Sequence, residues 1–412
     1  MSTPKRLSFL QISDVHLGRP FGWLPPDKRA HRRAELRDIW RRAVEEAIER
    51  RVDALLVPGD LFDGEEADAE TVNRAIECVS VRDCPPVFIA PGNHDCYSRA
   101  NTYYDNAKLR ARRQAAWPEH VTIFTRPEIA SATLPAHPDV RVWGRCVHAN
   151  VDSAERVLQR GPELEPDQAN VLLLHGSRDG FLRPGKRLTA PFSDAEILRS
   201  GFDYTALGHY HEYAAIVDEN GRARAAYSGS PAALARDETG ARGALHVKLT
   251  LDLSAAPGSR LLASEIEQVT LDERRLHEVS VDLSAAGSRE TARERTFEAL
   301  EAADASLCDL VIARYTGRPL PGVDVVPRAE EFGERVWFFA ADSSALRPAY
   351  DLLAYRRGEP RTTEERFARS MLAEIEDERD GDRRALLEAA LYYGLDALRQ
   401  KSVTPRYEWG IE

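Results

Sequence analysis

The stretch Val87-Phe88-Ile89-Ala90-Pro91-Gly92-Asn93-His94-Asp95 decides the fold. Its first residues are apolar and predict a short buried strand, which the Pro-Gly pair ends. Directly after this end stand an amide, an imidazole and a carboxylate, each able to bind a metal ion or to move a proton. In open α/β sheets, ligands bind at the carboxyl ends of the strands. The stretch therefore predicts an α/β protein whose strand ends carry the functional groups.

Polar clusters also follow four other apolar runs. They are Asp14 and His16 after residues 7–13, Asp60 and Asp63 after residues 53–57, His175 after residues 171–174, and His209 and His211 after residues 204–207. Because the carboxyl ends of neighbouring parallel strands meet at one edge of a sheet, we expect these groups to converge. In extended backbone alternate side chains face the same way, so Asp14 should lie beside His16.

The donor groups in these five clusters predict a metal site. They are carboxylates, imidazoles and an amide oxygen, without a thiolate, a set that suits manganese, iron or zinc and disfavours calcium. There are too many donors for one ion and enough for two if one carboxylate bridges. Two ions about 3.5–4 Å apart are usual where phosphoesters are hydrolysed. Any one cluster alone could be an ordinary turn, but five of the 11 histidines fall in them, which favours a dinuclear site.

The order of predicted elements indicates two sheets. Strand, helix, strand, helix and strand alternate over the first 90 residues, which implies parallel strands joined by right-handed crossovers. Later runs are mostly strands, and Asn220-Gly221 predicts a hairpin. We therefore expect an α/β fold, a four-layer sandwich of two mixed β-sheets flanked by helices.

Three domains are expected in 412 residues. Residues 1–270 would form the main domain, and residues 271–340, with two strand-like runs around a helix, a small α+β capping domain. Residues 341–412 would form a helical segment in which Thr362 and Glu365 make a capping box. This segment either folds back on the body or docks a partner, and both interpretations remain open.

The net charge of −11 argues against a protein that simply coats DNA, although basic groups are locally concentrated. The concentrations are Lys28, Arg29, Arg32, Arg33, Arg37, Arg41 and Arg42; Arg99, Lys108, Arg110, Arg112 and Arg113; and Arg178, Arg183, Lys186 and Arg187. Each is either a solvated face paired with nearby acids or part of a path for nucleic acid.

The five cysteines are scattered and contain no CxxC pair, which argues against a disulfide framework. The first residues lack the features of a secretion signal, and no apolar run has the length that a bilayer requires. We therefore predict a reducing cytoplasmic location without membrane attachment.

Taken in order, the five clusters resemble the calcineurin-like metallophosphoesterase superfamily. Four longer stretches resemble the bacterial SbcD-type DNA repair exonucleases, and among them the YhaO branch. The stretches are Gly59-Asp60-Leu61-Phe62-Asp63, Leu172-Leu173-Leu174-His175-Gly176, Ala206-Leu207-Gly208-His209-Tyr210-His211 and Tyr227-Ser228-Gly229-Ser230-Pro231. The resemblance covers about residues 7–330 and extends only loosely to the C-terminal helices.

The resemblance implies a role for each site residue. It implies that one metal ion is held by Asp14, His16 and His211, the other by Asn93, His175 and His209, and that Asp60 bridges the two. His94 would lie over the scissile phosphate and act on the leaving oxygen, and Asp95 would orient a histidine from behind. Some relatives carry histidine where this chain has Asp63, so we expect Asp63 to have a supporting role only.

The function implied by the resemblance is a two-metal, manganese-dependent DNA nuclease for DNA end processing and repair. Exonuclease activity is expected, with endonuclease activity as an addition. The implied partners are DNA, a second copy of the chain and an SbcC-like ABC-type coiled-coil ATPase. Two alternatives stay open: a small-molecule or nucleotide phosphodiesterase of the same superfamily, and a non-catalytic subunit that binds DNA ends.

Overall fold

A computed structural model describes residues 3–64, 67–98, 103–149, 153–181, 187–321 and 323–400. The chain divides into two compact units, Met1–Glu273 and Arg274–Glu412, which we call unit 1 and unit 2. The first boundary predicted from the sequence, after residue 270, differs from this division by three residues. The further division of unit 2 after residue 340 stays a prediction.

Unit 1 contains twelve strands and four α-helices within the described residues. In chain order they are β1 (Lys5–Gln11), α1 (Pro26–Glu49), β2 (Ala54–Val57), α2 (Ala69–Val79), β3 (Val87–Ile89), α3 (Asn106–Ala111), β4 (Val121–Ile123), β5 (Ala130–Leu134), β6 (His137–Gly144), β7 (Ala169–His175), α4 (Asp194–Arg199), β8 (Tyr204–Gly208), β9 (Ala214–Val217), β10 (Ala223–Tyr227), β11 (Gly243–Leu251) and β12 (Leu261–Thr270).

These strands form two six-stranded mixed sheets. The first has the order β12-β11-β1-β2-β3-β4 and the second the order β5-β6-β7-β8-β10-β9. β1, β2 and β3 are parallel neighbours, as are β6, β7 and β8. The carboxyl ends of each parallel set therefore lie at one edge of its sheet, which is the arrangement that the strand-helix alternation predicted.

The two sheets pack face to face around one apolar core. Phe9, Leu56 and Phe88 of the first sheet share this core with Val142 and Leu173 of the second, and all are buried. On the outer side of the first sheet, α1 contacts β1, β2 and α2. On the second sheet, α4 contacts β10. The predicted four-layer α/β sandwich is confirmed.

One strand of the second sheet was not predicted. β5 is only five residues long, it contains two alanines and a serine, and most of its residues are partly exposed. Its sequence therefore lacks the β-branched or aromatic run that marks a strand. The hairpin at Asn220-Gly221 is confirmed, because β9 and β10 pair antiparallel and Gly221 has the positive φ of 75° that such a turn needs.

Unit 2 begins with three parallel strands, β13 (Leu276–Asp282), β14 (Leu310–Thr316) and β15 (Phe338–Asp342), with α5 (Arg289–Ala302) between the first two. β15 runs across residue 340, so the α+β part extends past that position. Two further helices follow, α6 (Thr363–Asp377) and α7 (Gly381–Gln400), packed around a separate apolar cluster that includes Leu372 and Leu391. The predicted capping box is confirmed, since the Thr362 side chain accepts from the Glu365 N–H at 3.1 Å.

No helix in the described part of the chain combines the length and the apolarity that crossing a bilayer demands. The five cysteines all lie in the described part and are free thiols.

Candidate metal centre

The five predicted clusters all lie at or just after the ends of strands of unit 1. Three follow the parallel strands β1, β2 and β3 of the first sheet; in the second sheet His175 is the last residue of β7, and His209 and His211 follow β8. Because the two sheets pack on each other, loops from both can reach one place. Three groups of possible metal donors lie there, and within each group the donor atoms are no more than 4.8 Å apart. The groups are Asp14, His16 and His211; His16, Asp60 and His94; and Asp14, Asp60 and His175.

Asp60 stands between two of the buried imidazoles. Its Oδ2 lies 3.7 Å from His16 Nε2 and 3.4 Å from His175 Nε2. On one side, His211 Nε2 lies 4.0 Å from Asp14 Oδ1, within the group that also contains His16. A carboxylate in this position can be shared by two cations, which is how dinuclear centres are commonly bridged.

On the other side of Asp60, an amide joins two imidazoles. Asn93 Oδ1 lies 2.9 Å from His175 Nε2 and 3.0 Å from His209 Nδ1. His209 belongs to none of the three groups above, but its Nδ1 converges with His175 on this amide oxygen. The seven residues that the sequence singled out as metal donors are thus brought together in space.

His94 lies at the edge of the centre and is only partly buried. Its backbone N–H donates to Asp60 Oδ1 at 2.9 Å, and its Nδ1 lies 3.0 Å from the Asp63 carbonyl oxygen. The ring meets that of His16 edge-on, with centroids 4.6 Å apart. With Nδ1 placed against a carbonyl, Nδ1 carries the proton and Nε2 is left as the nitrogen for other chemistry.

The backbone around the donors is left-handed at several residues other than glycine. φ is 53° at Asp14, 52° at His16 and Asp60, and 112° at His209. Asp14 and His16 therefore converge, but not through the extended backbone that the sequence analysis assumed. The Asp14 and His16 N–H groups bond to carbonyls of Gly59 and Asp60, so the loop after β2 sets this conformation. Such backbone is costly and concentrates at functional sites.

The two carboxylates expected to support the site do so in different ways. Asp63 Oδ1 lies 2.9 Å from His16 Nδ1 and also accepts from Arg19 Nη1 at 3.0 Å. The Asp95 carboxylate accepts from the N–H groups of residues 60, 61, 62 and 92 and from the Tyr104 hydroxyl. Asp95 thus holds the loop that carries Asp60, and its expected role in orienting a histidine stays a prediction.

Glu238 is a site residue that the sequence analysis missed. Its Oε1 lies 2.6 Å from His211 Nδ1, and its side chain is 9% exposed. Burial alone would raise the pKa of this carboxyl, but the hydrogen bond with His211 and the charge of that ring lower it to about 2. Nothing in the local sequence marks Glu238, because 27 residues separate it from its partner.

The imidazoles have opposite electrostatic surroundings. Burial favours the neutral form of His175, but the negative charge of Asp60 outweighs it and raises the pKa of His175 to about 9. Burial, together with the positive charge of His175, lowers the pKa of His209 to about 3. The centre therefore concentrates negative charge around Asp60, while the imidazole of His209 is neutral, which is the form in which histidine can bind a metal ion.

The residues present fit divalent cations. His16 Nε2 is buried and has no hydrogen-bond partner in the described part of the chain, although it points towards Asp60. A buried polar atom without a partner costs free energy, and a cation among these donors would remove that cost. The donor set of nitrogen and oxygen atoms suits manganese, iron or zinc.

Some of the basic residues noted in the sequence are paired with acids. Arg32 is buried and donates to Asp272 at 2.9 Å, and Arg178 Nε donates to Asp194 Oδ1 at 2.6 Å. Arg187 is exposed, and its carbonyl oxygen lies 3.2 Å from His209 Nε2, so it lies beside the centre. Arg99, Arg183 and Lys186 lie outside the described residues.

The family model described as calcineurin-like phosphoesterase matches residues 7–213, about half of the 412 residues. The chain therefore belongs to the calcineurin-like phosphoesterase family. Members of this family hydrolyse phosphoesters with bound divalent metal ions.

Curated relatives are similar over part of their length. The metallophosphoesterase YhaO of Bacillus subtilis (strain 168), itself described as uncharacterized, is 27% identical over 59% of this chain and 58% of that protein. The DNA double-strand break repair protein Mre11 of Aeropyrum pernix is 28% identical over 68% of this chain and 64% of that protein. The chain thus spans about three fifths of the length of these relatives.

Among solved structures, TT1561 of Thermus thermophilus is similar with a TM-score of 0.35 and 13% identity, over 65% of this chain and 100% of that chain.

Proposed function

We propose that this chain is a metal-dependent DNA nuclease of the SbcD type, which hydrolyses phosphodiester bonds during DNA end processing and repair. The observation that supports it most is the position of one buried carboxylate, Asp60, between His16 and His175 in a chain of the phosphoesterase family. The DNA substrate is supported by relatives of this chain that are named as DNA double-strand break repair proteins.

In this proposal Asp14, His16 and His211 hold one divalent ion, and Asn93, His175 and His209 hold the other. Asp60 contacts both, as its distances to His16 and His175 allow. The bound ions, with manganese proposed, would activate water and neutralise charge on the phosphate. Asp63 and Asp95 have supporting roles. The carboxylate of Asp63 contacts His16 Nδ1, and the carboxylate of Asp95 accepts hydrogen bonds from the backbone of the loop that contains Asp60.

His94 is the residue proposed to act on the phosphate. Its Nδ1 is fixed by the Asp63 carbonyl oxygen, so the ring presents Nε2 from a partly exposed position. When the ring is protonated on both nitrogens, Nε2 can donate its proton to the leaving oxygen of the phosphodiester, and the ring is left neutral with its proton on Nδ1. General acid catalysis of this type contributes about 10²- to 10⁴-fold to a rate.

Replacing His94 tests this role. We expect His94→Ala to lower the rate of manganese-dependent cleavage of labelled DNA by about 10²- to 10⁴-fold, while calorimetry shows metal binding unchanged. His31→Ala, which removes a largely exposed imidazole on α1, is the matched control and should leave the rate unchanged. Full DNA cleavage by His94→Ala would contradict the assignment of His94.

The substrate class has a separate test. Labelled single- and double-stranded DNA and bis-nitrophenyl phosphate are offered to the wild-type protein with manganese, with and without an SbcC-like ATPase. Cleavage of DNA is expected. Hydrolysis of the small diester without any cleavage of DNA would contradict the nuclease and favour a small-molecule phosphodiesterase, whereas binding of DNA ends without hydrolysis of either substrate would indicate a non-catalytic subunit.

We further propose that the α+β part of unit 2 caps the DNA site, that residues 341–412 dock an SbcC-like ABC-type ATPase, and that the chain works as a cytoplasmic homodimer. Deleting residues 362–400 should abolish co-purification of the ATPase and leave metal binding intact. Retained co-purification would show that the ATPase docks elsewhere.

A further inference from the structure

In each of the four imidazoles of the centre, one ring nitrogen faces away from the other donors and lies at hydrogen-bond distance from an oxygen acceptor. The acceptors are of two kinds. His16 Nδ1 lies 2.9 Å from the carboxylate of Asp63, and His211 Nδ1 lies 2.6 Å from the carboxylate of Glu238. His175 Nδ1 lies 3.0 Å from the carbonyl oxygen of Pro58, and His209 Nε2 lies 3.2 Å from that of Arg187. The two kinds of acceptor correspond to the two proposed ligand sets. The acceptors behind His16 and His211 are charged carboxylates, and those behind His175 and His209 are neutral backbone carbonyls.

The carboxylate of Glu238 is itself held by hydrogen bonds. Its Oε2 accepts from the Leu234 N–H at 2.9 Å and from the Ser230 hydroxyl at 3.0 Å, so that Oε1 is left for His211. Arg242 adds a positive charge 3.9 Å from Oε2. A carboxylate fixed in this way dictates the orientation of the ring that donates to it.

The consequence for His211 is a defined tautomer. Since a carboxylate only accepts hydrogen bonds, the proton of the neutral ring must stay on Nδ1. Nε2, which lies 4.0 Å from Asp14 Oδ1, then presents its lone pair to the centre. A carboxylate behind a histidine also raises the basicity of the other nitrogen, which strengthens its bond to a metal ion.

The two proposed ligand sets differ in the negative charge that surrounds them. The group of Asp14, His16 and His211 has one carboxylate among its donors and two more behind its rings. On the other side, the donor beside His175 and His209 is the neutral amide of Asn93. Asp60 is common to both sides, and Asp14 also lies within 4.8 Å of Asp60 and His175, so the difference in charge rests on Asp63 and Glu238. A divalent cation is therefore attracted more strongly to the first group.

We propose that Glu238 is a positioning residue that fixes the tautomer of His211, and that it makes the Asp14–His16–His211 group the tighter of two unequal metal positions. This inference rests on the proposed function of His211 as a metal ligand.

The test uses Glu238→Gln in the full chain, stripped of metal by a chelator and titrated with Mn²⁺ in a calorimeter. In one orientation the new amide places its NH₂ group against His211 Nδ1, and the ring must move its proton to Nε2. In the other, the NH₂ group faces the Leu234 N–H and the loop loses its acceptor. We expect wild type to bind in two resolved events and the tighter event to weaken about 10- to 100-fold in the variant.

Ser230→Ala distinguishes two roles of Glu238, the orientation of the His211 ring and the support of the loop that contains Ser230 and Leu234. It removes the hydrogen bond to Glu238 Oε2, together with those to the Ala232 carbonyl oxygen and from Arg242 Nη1, and leaves the contact between Glu238 and His211 in place. We expect Ser230→Ala to weaken the tighter event less than Glu238→Gln does, because the carboxylate stays in place, and Glu219→Gln in the exposed β9–β10 turn to bind Mn²⁺ like wild type. Nitrogen-15 spectra of histidine-labelled protein should show His211 protonated on Nδ1 in wild type and shifted in Glu238→Gln only.

The outcomes are distinct. Equal affinities in wild type, an effect of Glu238→Gln on the weaker event only, or equal losses in Glu238→Gln and Ser230→Ala would each overturn the inference. His211→Ala should abolish the tighter event. If His211→Ala does so while Glu238→Gln binds normally, Glu238 is not a positioning residue and the proposed ligand set stands. If His211→Ala leaves both events intact, the ligand set itself is wrong.

Discussion

Asp95 ties together two loops of the centre through a single buried carboxylate. It accepts from the Gly92 N–H at 2.6 Å, the Leu61 N–H at 2.8 Å and the Tyr104 hydroxyl at 2.6 Å. Asp95→Asn places an NH₂ group against these donors, and each buried donor left without an acceptor costs about 1–3 kcal/mol. We expect the free energy of unfolding in urea to fall by at least that amount.

Tyr104→Phe serves as the comparison for this variant, because it removes one donor and keeps the carboxylate. It should cost only about 1 kcal/mol, the net value of one typical hydrogen bond. A free energy of unfolding for Asp95→Asn equal to that of wild type would mean that the carboxylate does not hold the loop.

Among the elements, the turn after β3 lies in close contact with Asp60, which follows β2 of the first sheet, and with His175 of the second. A Cβ atom on Gly92 would lie 2.7 Å from the Asp60 backbone nitrogen and 2.8 Å from His175 Cε1. Gly92→Ala should therefore push apart the residues on either side of the centre, and a displacement of about 1 Å can cost about 100-fold in rate. Hydrolysis of bis-nitrophenyl phosphate measures the loss.

Gly22→Ala is the matched control for this turn, since a Cβ atom there meets nothing within 4 Å. It should retain the wild-type rate. If Gly92→Ala is as active as Gly22→Ala, the close approach of the two loops is not required for catalysis.

The start of α4 carries an ion pair whose contribution depends on pH. Glu196 belongs to the capping box with Ser193, and Arg156 bridges it to Asp179 in the loop after β7. The hydrogen bond from Arg156 is the main cause that lowers the pKa of Glu196 from 4.5 to about 2. A carboxyl with a lowered folded-state pKa stabilises the fold above its unfolded pKa and loses that effect as pH falls.

Glu196→Gln should therefore be less stable than wild type at pH 7, and the difference should shrink as pH falls below 4.5 towards 2. Urea unfolding between pH 3 and pH 7 measures it, with Glu163→Gln, an exposed carboxyl nearby in sequence, as control. A difference that stays constant over this range would mean that the charge of Glu196 is not involved.

Elements differ in how far the sequence could predict them. β2, β7 and β8 are fully buried, so their apolar runs are directly visible in the sequence. The donors after these strands could be predicted for the same reason. The left-handed backbone of Asp14 and His16 could not, because carbonyls from the loop after β2 impose it. Glu238 could not be predicted either, since only the tertiary structure brings it to His211.

At the scale of the whole molecule, metal binding should stabilise one unit only. The donor residues all lie in unit 1, between residues 14 and 211. A ligand at 100 times its Kd adds about 2.7 kcal/mol to the stability of the unit that binds it. We expect scanning calorimetry to show two transitions, of which Mn²⁺ raises one and leaves the other unchanged.

His211→Ala is the control for the calorimetry and should reduce this shift. Equal shifts of both transitions, or no shift of either, would contradict a metal centre confined to unit 1.

The four imidazoles of the centre have a consequence for the supply of metal in the cell. Nitrogen donors bind divalent ions more tightly in the order that rises from manganese through iron to copper, with zinc also well above manganese. A centre with His16, His175, His209 and His211 among its donors would therefore take up zinc or copper in preference to manganese when both are offered. If manganese is the working ion, the cell must keep free zinc and copper scarce, and protein purified from a zinc-rich medium will carry the ion of the medium.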